Sequence, residues 1–251
     1  MALRVSLDSN VWERVVSSDD PDSEAIRSAF ARNSVEGFIC EAAFRIEAIP
    51  KNLRFPYFST PSTSLQVPGD VALIDGKRHI RIMSFGPDDA RHPGLPAVQA
   101  MRLEQAIALG VKLMRGMAWF GLPCPLEASD PTIFASETEA ERDERAQRQI
   151  ALNAEIWTRG VGKDVFDKAG GWQAFRQGKL SGKKIARACA EWADGELVAA
   201  HVAYRNDLLC TEDRAIASRQ SIFNQTNRSW LESKFGVHFA NLNELRAKVS
   251  V

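Results

Sequence analysis

Ala193-Asp194-Gly195-Glu196-Leu197-Val198-Ala199-Ala200-His201-Val202-Ala203-Tyr204, continued by Arg205-Asn206-Asp207-Leu208-Leu209-Cys210-Thr211-Glu212-Asp213-Arg214, is the stretch that decides the fold. It reads as a helix, a tight turn and a short apolar strand ending on a threonine and an aspartate. Asp194 is expected at the helix start, where free N–H groups and the positive end of the dipole favour a carboxylate. Leu197, Val198, Ala200 and Val202 supply an apolar body. Asp213 falls just past the strand. In a parallel sheet, side chains beyond the carboxyl ends of the strands face the crevice where ligands bind, so Asp213 is a site candidate by position.

The N-terminus repeats the pattern. Leu3-Arg4-Val5-Ser6-Leu7 alternates and is rich in branched residues, which suits a strand, and it runs into Asp8-Ser9-Asn10. Asp22 to Arg32 has apolar residues at helical spacing and acids at its start. Val35 to Cys40 reads as a second strand, and Glu41 to Lys51 as a helix stopped by Pro50. At about 100° per residue, Glu41 and Glu47 fall on opposite faces of that helix, so one of the two can point into a given site.

From Leu53 to Ala135 the character changes: prolines recur, and Val71-Ala72-Leu73-Ile74 and His79-Ile80-Arg81-Ile82-Met83 flank Asp75-Gly76, a dipeptide suited to a two-residue hairpin turn. Ala97 to Trp119 reads as a long helix. This block is expected to be an insertion, residues 53–135, in a core made of residues 1–52 and 136–251. In the second part of the core, Ser136 opens a Ser-x-x-Glu capping pattern before a helix to Trp157. Gly160, Gly162, Gly170 and Gly171 interrupt the chain, Ser181 starts a helix through Trp192, and Arg228 to Phe235 is a helix closed by Gly236. Val237-His238-Phe239 is a brief strand, and Asn241 to Lys248 ends the chain.

Strands alternating with helices predict an α/β fold, a three-layer α/β/α sandwich with a mostly parallel sheet. The 251 residues carry 32 basic and 32 acidic side chains, so a polyanion would have to be met by a local basic surface. No stretch approaches the roughly 18 uncharged apolar residues of a membrane span, and Met1-Ala2-Leu3-Arg4 opens no leader peptide, which predicts a cytoplasmic protein. Cys40, Cys124, Cys189 and Cys210 stand singly, as buried reduced thiols do. The four histidines share no metal-ligand spacing, and the tryptophans are too irregular to form a stacking platform. No Gly-rich pattern suggests a nucleotide cofactor.

Four acids can converge on one edge of the sheet: Asp8 after the first strand, Glu47 on the helix after the second, Asp194 before the next strand and Asp213 after it. Two unit charges at 4 Å repel by about 4 kcal/mol at an effective dielectric of 20, so such a cluster calls for a cation. Oxygen ligands alone favour Mg²⁺ or Mn²⁺ over zinc.

These pieces together resemble the PIN domains, metal-dependent nucleases of bacterial toxin–antitoxin pairs and RNA-processing proteins. The matching runs are Val5-Ser6-Leu7-Asp8-Ser9-Asn10, Phe44-Arg45-Ile46-Glu47, Ala193 to Ala200, and Leu208-Leu209-Cys210-Thr211-Glu212-Asp213. The resemblance implies that Asp8, Glu47, Asp194 and Asp213 are catalytic and hold Mg²⁺ or Mn²⁺, with Asn10 and Thr211 as hydrogen-bonding neighbours. It implies RNA as substrate and admits a protein antitoxin and a second copy of the chain as partners. The chain departs from small members of the family in the length between Glu47 and Asp194. Glu41 competes with Glu47, and Glu196 with Asp194.

Arg45, Lys183, Lys184, Arg205 and Arg214 are candidates for contact with a phosphate backbone, against the plainer reading of a solvated face. Asp8, Asp194 and Asp213 have plainer readings too, as turn or cap residues. Two other functions fit acids at strand ends: a metal-dependent phosphatase on a similar fold, or a catalytically silent module in which the insertion binds a protein.

Overall fold

Alternation of side chains along two strands sets the layers. The computed structural model describes residues 2–47, 49, 50, 52, 53, 56, 71–74, 77–80, 94–116, 131–171, 174, 177, 179, 182–214 and 221–249. Its strands are β1 (Leu3–Leu7), β2 (Val35–Cys40), β3 (Val71–Ile74), β4 (Lys77–Ile80), β5 (Lys112–Met114), β6 (Leu208–Cys210) and β7 (Phe239–Ala240). Five of them form one all-parallel sheet in the order β5-β2-β1-β6-β7, and β3 and β4 pair with each other as an antiparallel hairpin.

The helices are α1 (Ser9–Ser17), α2 (Pro21–Ala31), α3 (Ala97–Ala108), α4 (Glu139–Thr158), α5 (Lys163–Lys168), α6 (Gly182–Ala203), α7 (Gln225–Phe235) and α8 (Leu242–Val249). One core joins Val5, Leu7, Leu113 and Cys210 of the sheet to Trp12 of α1, Ile26 of α2, Leu103 of α3 and Leu245 of α8. The other joins Phe38, Met114 and Leu209 to Ile156 of α4, Phe166 of α5, Trp192 of α6 and Leu231 of α7. The fold is therefore the expected three-layer α/β/α sandwich, and its central strands are buried on both faces as parallel strands require. Among the described residues no helix is long and apolar enough to cross a membrane.

The strand order makes a switch point. From β1 the chain moves outward through β2 to β5, then returns to lay β6 on the other side of β1. Leaving β1, the chain enters α1 on one face; leaving β6, it reaches α7 on the other. Ligands of open α/β sheets bind where such connections diverge, outside the carboxyl ends of the strands. Leu7 stands opposite both Ile39 and Cys210, which brings the ends of β1, β2 and β6 level.

Local sequence explains most boundaries. Asp20 caps α2 by accepting from the N–H groups of Asp22 and Ser23, with Pro21 at the first helical position. Thr138 and Glu141 form a reciprocal capping box for α4, two residues beyond the cap expected at Ser136. Gly236, at φ 66°, closes α7.

Four expectations are corrected. Where an α-helix is expected over Glu41 to Lys51, Ala43–Glu47 wind into a five-residue π-helical turn. The helix expected over Ala97 to Trp119 ends at Ala108, because Gly110, at φ 85°, reverses the chain into β5. β5 pairs with β2 as an edge strand of the central sheet, so residues 97–116 belong to the sandwich and not to an inserted block. The hairpin at 71–80 is there and pairs only with itself among the described residues, while Asp75-Gly76, and Arg81 to Met83, lie outside the described residues.

The fourth difference lies in the run from Ala193 to Arg214. The helices expected to end at Trp192 and to begin at Asp194 are one, α6, so Asp194 lies in mid-helix and not at a helix start. Gly195, next to it, serves a close approach: a Cβ there would lie 3.0 Å from the Cα of Gly162. Gly162 itself sits at φ 63°, ψ −135°, a conformation open essentially to glycine. A Cβ at position 162 would also meet Cγ2 of Ile156 at 2.9 Å. Gly162→Ala is therefore expected to destabilise the protein by about 2 kcal/mol, the sum of backbone strain and overpacking. Urea unfolding measures it, and a midpoint equal to that of the wild type would show that the α4–α5 connection moves aside without cost.

Candidate functional site

Asp8 follows β1 and caps α1. Its Oδ1 accepts from the Ser9 N–H at 2.6 Å, and its Oδ2 accepts from the Thr211 hydroxyl at 2.6 Å. The side chain is 5% exposed. Burial pushes its carboxyl above the ordinary 3.8; the Thr211 hydroxyl and the Ser9 amide pull it down, and the charge of Asp213 pushes it further up.

Thr211 joins the two acids. Its hydroxyl gives its proton to Asp8 and accepts from the N–H of Asp213 at 3.0 Å. Asn10 reaches across from α1, its Oδ1 accepting from the Glu212 N–H at 3.3 Å. The two residues expected to be hydrogen-bonding neighbours thus tie the loop after β6 to the loop after β1.

Asp194 joins them from the other layer. Although in mid-helix, it lines a small cavity with Leu7, Asp8, Ser9, Ile39, Cys40, Ala43, Ala193 and Leu197, directly above the ends of β1 and β2. The space there is about 10 Å³, enough for one water or one cation and far too little for a nucleotide. Two turns further along α6, His201 stands beside Ser6 of β1, so the helix runs down the strand from the Asp8 end. The residues of α6 before Asp194 therefore overshoot the sheet by roughly 15 Å at a rise of 1.5 Å per residue. Phe166 packs on Trp192 at 5.1 Å between ring centroids and supports this overhang. Lys183 and Lys184 are exposed at its tip, on the side of the site.

A second buried group lies further along the same edge, past β2. The Glu41 carboxylate is 1% exposed; its Oε1 accepts from the Gly116 N–H at 2.6 Å and pairs with Arg45 at 2.9 Å. Glu196, also buried, is near enough that a Cβ on Gly116 would lie 3.5 Å from Glu41 Oε1 and 3.6 Å from Glu196 Oε2. Burial raises the pKa of Cys40 well above the usual thiol range, with Glu196 and Glu41 adding and Arg45 opposing. Arg45 is correspondingly held against Glu41 and is 8% exposed, so it is not an open phosphate contact.

The side chain of Glu47 lies outside the described residues, as does Cys124. Arg214 is exposed beside Asp213. Arg205 is not part of the site: at φ 55° it turns α6 into β6 and lies at the opposite edge of the sheet, lining a groove with Arg4, Glu36 and Lys112. The reason is directional, since the amino end of a parallel strand faces away from the edge that carries Asp8.

A divalent cation fits the chemistry of these donors, which are oxygens only, and fits the desolvated charge of Asp8. Among the described residues, however, no group of three or more His, Cys, Asp or Glu side chains is gathered closely enough to hold an ion. Asp8 and Asp194 share the cavity, and Asp213 acts on Asp8 through its charge.

Sequence reading passed over Arg228. Its Nε donates to the Phe223 carbonyl at 2.9 Å, its Nη2 donates to the Asp213 carbonyl, and its guanidinium lies 4.4 Å from the centre of the Phe239 ring. The one available signal was a cation in the first turn of a helix, where the dipole disfavours it. No family model, no curated protein and no solved structure matches this chain.

Proposed function

We propose that the chain is a ribonuclease that hydrolyses RNA phosphodiester bonds with Mg²⁺ or Mn²⁺. The observation that carries this reading is the buried Asp8 at the sheet's switch point, bonded through Thr211 to the loop of Asp213 and sharing a cavity of cation size with Asp194. Asp8 and Asp194, which share the cavity, would offer oxygens to the ion, and the resemblance to PIN domains implies Asp213 and Glu47 as its other two acids. When bound, the ion lowers the pKa of a water and neutralises charge on the phosphate oxygens.

The chain's own residues orient and steer. The Ser9 N–H and hydroxyl donate to Asp8 Oδ1 and the Thr211 hydroxyl donates to Oδ2, which fixes the orientation of the carboxylate. Lys183 and Lys184 on the overhang, with Arg214 beside Asp213, offer charge to the phosphates flanking the scissile one. The toxic half of a toxin–antitoxin pair is the setting that the resemblance implies, and an antitoxin or a second copy would then be its protein partner.

The test is hydrolysis by the purified protein of a mixed-sequence single-stranded RNA and of a small phosphomonoester, each with Mn²⁺, Mg²⁺ or chelator. Cleavage of RNA alone, dependent on metal, is expected. Turnover of the monoester alone would make the protein a phosphatase, and turnover of neither would make it a binding module.

A further inference from the structure

We propose that Arg228 is a positioning residue for Asp213, fixing through that residue's carbonyl the direction in which its carboxylate leaves the loop. The catalytic consequence rests on the nuclease reading above, whereas the clamp itself does not.

Asp213 belongs to no strand or helix, so its orientation depends on what holds its two peptide groups. Its N–H is bonded to the Thr211 hydroxyl at 3.0 Å, and its carbonyl accepts from Nη2 of Arg228. With both flanking peptides held, the backbone torsions of Asp213 are set and the Cα–Cβ direction follows. Arg228 is itself immobilised. Its Nε is bonded to the Phe223 carbonyl, its plane lies over Phe239 of β7, and its side chain is half-buried between them. A continuous chain of bonds thus runs from Arg228 through Asp213 and Thr211 to Asp8.

The position is costly for a cation. Arg228 is in the first turn of α7, where the dipole opposes positive charge, and burial lowers its pKa while the charge of Asp213 raises it. A residue that only filled space over Phe239 could be apolar. The planar fork is what reaches two carbonyls at once, and lysine cannot reproduce it.

The experiment compares the wild type with Arg228→Lys, which keeps the charge, and Arg228→Met, which keeps the stem over Phe239, each alone and with Asp213→Asn. Mn²⁺ binding to the metal-free protein is measured by titration calorimetry, RNA cleavage by kcat and KM, and loop order by amide hydrogen exchange. Arg228→Lys is expected to weaken Mn²⁺ binding about 10-fold, the scale of a residue that orients a ligand. It should lower kcat similarly with RNA KM unchanged, and have no further effect once Asp213 is Asn. Amide exchange should quicken at residues 211–214 and stay unchanged in β1. Arg228→Met should reproduce the exchange result and decides the matter if the lysine variant does not fold.

Equal weakening with and without the Asp213 carboxylate, or a raised RNA KM at constant kcat, would overturn the proposal. If the wild type neither binds Mn²⁺ nor cleaves RNA, the nuclease reading fails and exchange alone judges the clamp. Quickening confined to 211–214 then upholds it, and wild-type rates overturn it.

Discussion

Asp8→Asn is expected to reduce RNA cleavage by more than about 100-fold, since residues that merely orient a ligand already cost 10- to 100-fold and this one would be the ligand. The same variant should melt no lower than the wild type in chelator. Asparagine caps a helix as well as aspartate does, and its Oδ1 can still accept from the Ser9 N–H. Its amide can donate to the Thr211 hydroxyl, which then accepts from both neighbours. What the substitution removes is a desolvated charge. Because burial raises the folded pKa of Asp8 above its unfolded value, the folded state holds that proton more tightly, and the benefit is lost as pH rises through the folded pKa. Above that folded pKa the wild type carries the full penalty and the amide carries none. Mn²⁺ should reverse the order, since an ion bound only by the folded protein stabilises it by about 2.7 kcal/mol at a hundredfold excess over Kd. Melting curves of both proteins across a metal titration should therefore cross. Parallel curves would mean that Asp8 is a cap and nothing more.

The crossing point depends on features that differ in how far local sequence reveals them. Asp8 and Asp213 are legible because each ends a short alternating or apolar strand, and strand ends in a parallel sheet have a fixed address. Asp194 is brought near Asp8 as expected, yet for another reason. Local chemistry reads Asp194 as a helix start, while Gly195 is required by the backbone of Gly162 pressing on α6 from 33 positions away in the chain. β5 is hidden for a similar reason: Lys112-Leu113-Met114 is only three residues long and continues the apolar spacing of α3, so one positive-φ glycine separates the two elements. The π-helical turn at Ala43–Glu47 cannot be told from an α-helix by spacing over five residues. A step of 100° per residue between Glu41 and Glu47 does not apply to such a turn. Arg228 acts through a main-chain carbonyl, which leaves no pattern in side-chain types.

The buried polar group beneath the site sets a second large effect. His201 of α6 is 2% exposed, and its Nδ1 lies 2.9 Å from Oγ of Ser6, which also accepts from Nδ2 of Asn206 at 2.8 Å. Burial lowers the imidazole pKa to about 3, with Asp207 opposing and His238 adding to the shift. The sign follows from proton counting. Between pH 6.5 and 3 the unfolded chain binds a proton at His201 that the folded chain refuses, so stability is intact above pH 6.5 and falls as pH drops. Linkage gives a loss of about 2 kcal/mol at pH 5 and about 3 kcal/mol at pH 4. At pH 5 the loss is set by the unfolded value alone, because the folded imidazole is still neutral. Neither Asp20 nor Asp8 imitates it in this range. Asp20, whose pKa is lowered by Arg14, loses its contribution only below the usual carboxylate value, and Asp8 acts with the opposite sign. His201→Leu should therefore flatten the dependence of unfolding free energy on pH between 7 and 5, whatever it costs at pH 7 through the lost bond to Ser6. Urea unfolding of both proteins at pH 7, 6 and 5 gives the two slopes. Equal slopes would mean that His201 takes up its proton in the folded state, with the β1–α6 contact open to water and the floor of the Asp8 site looser than its packing implies.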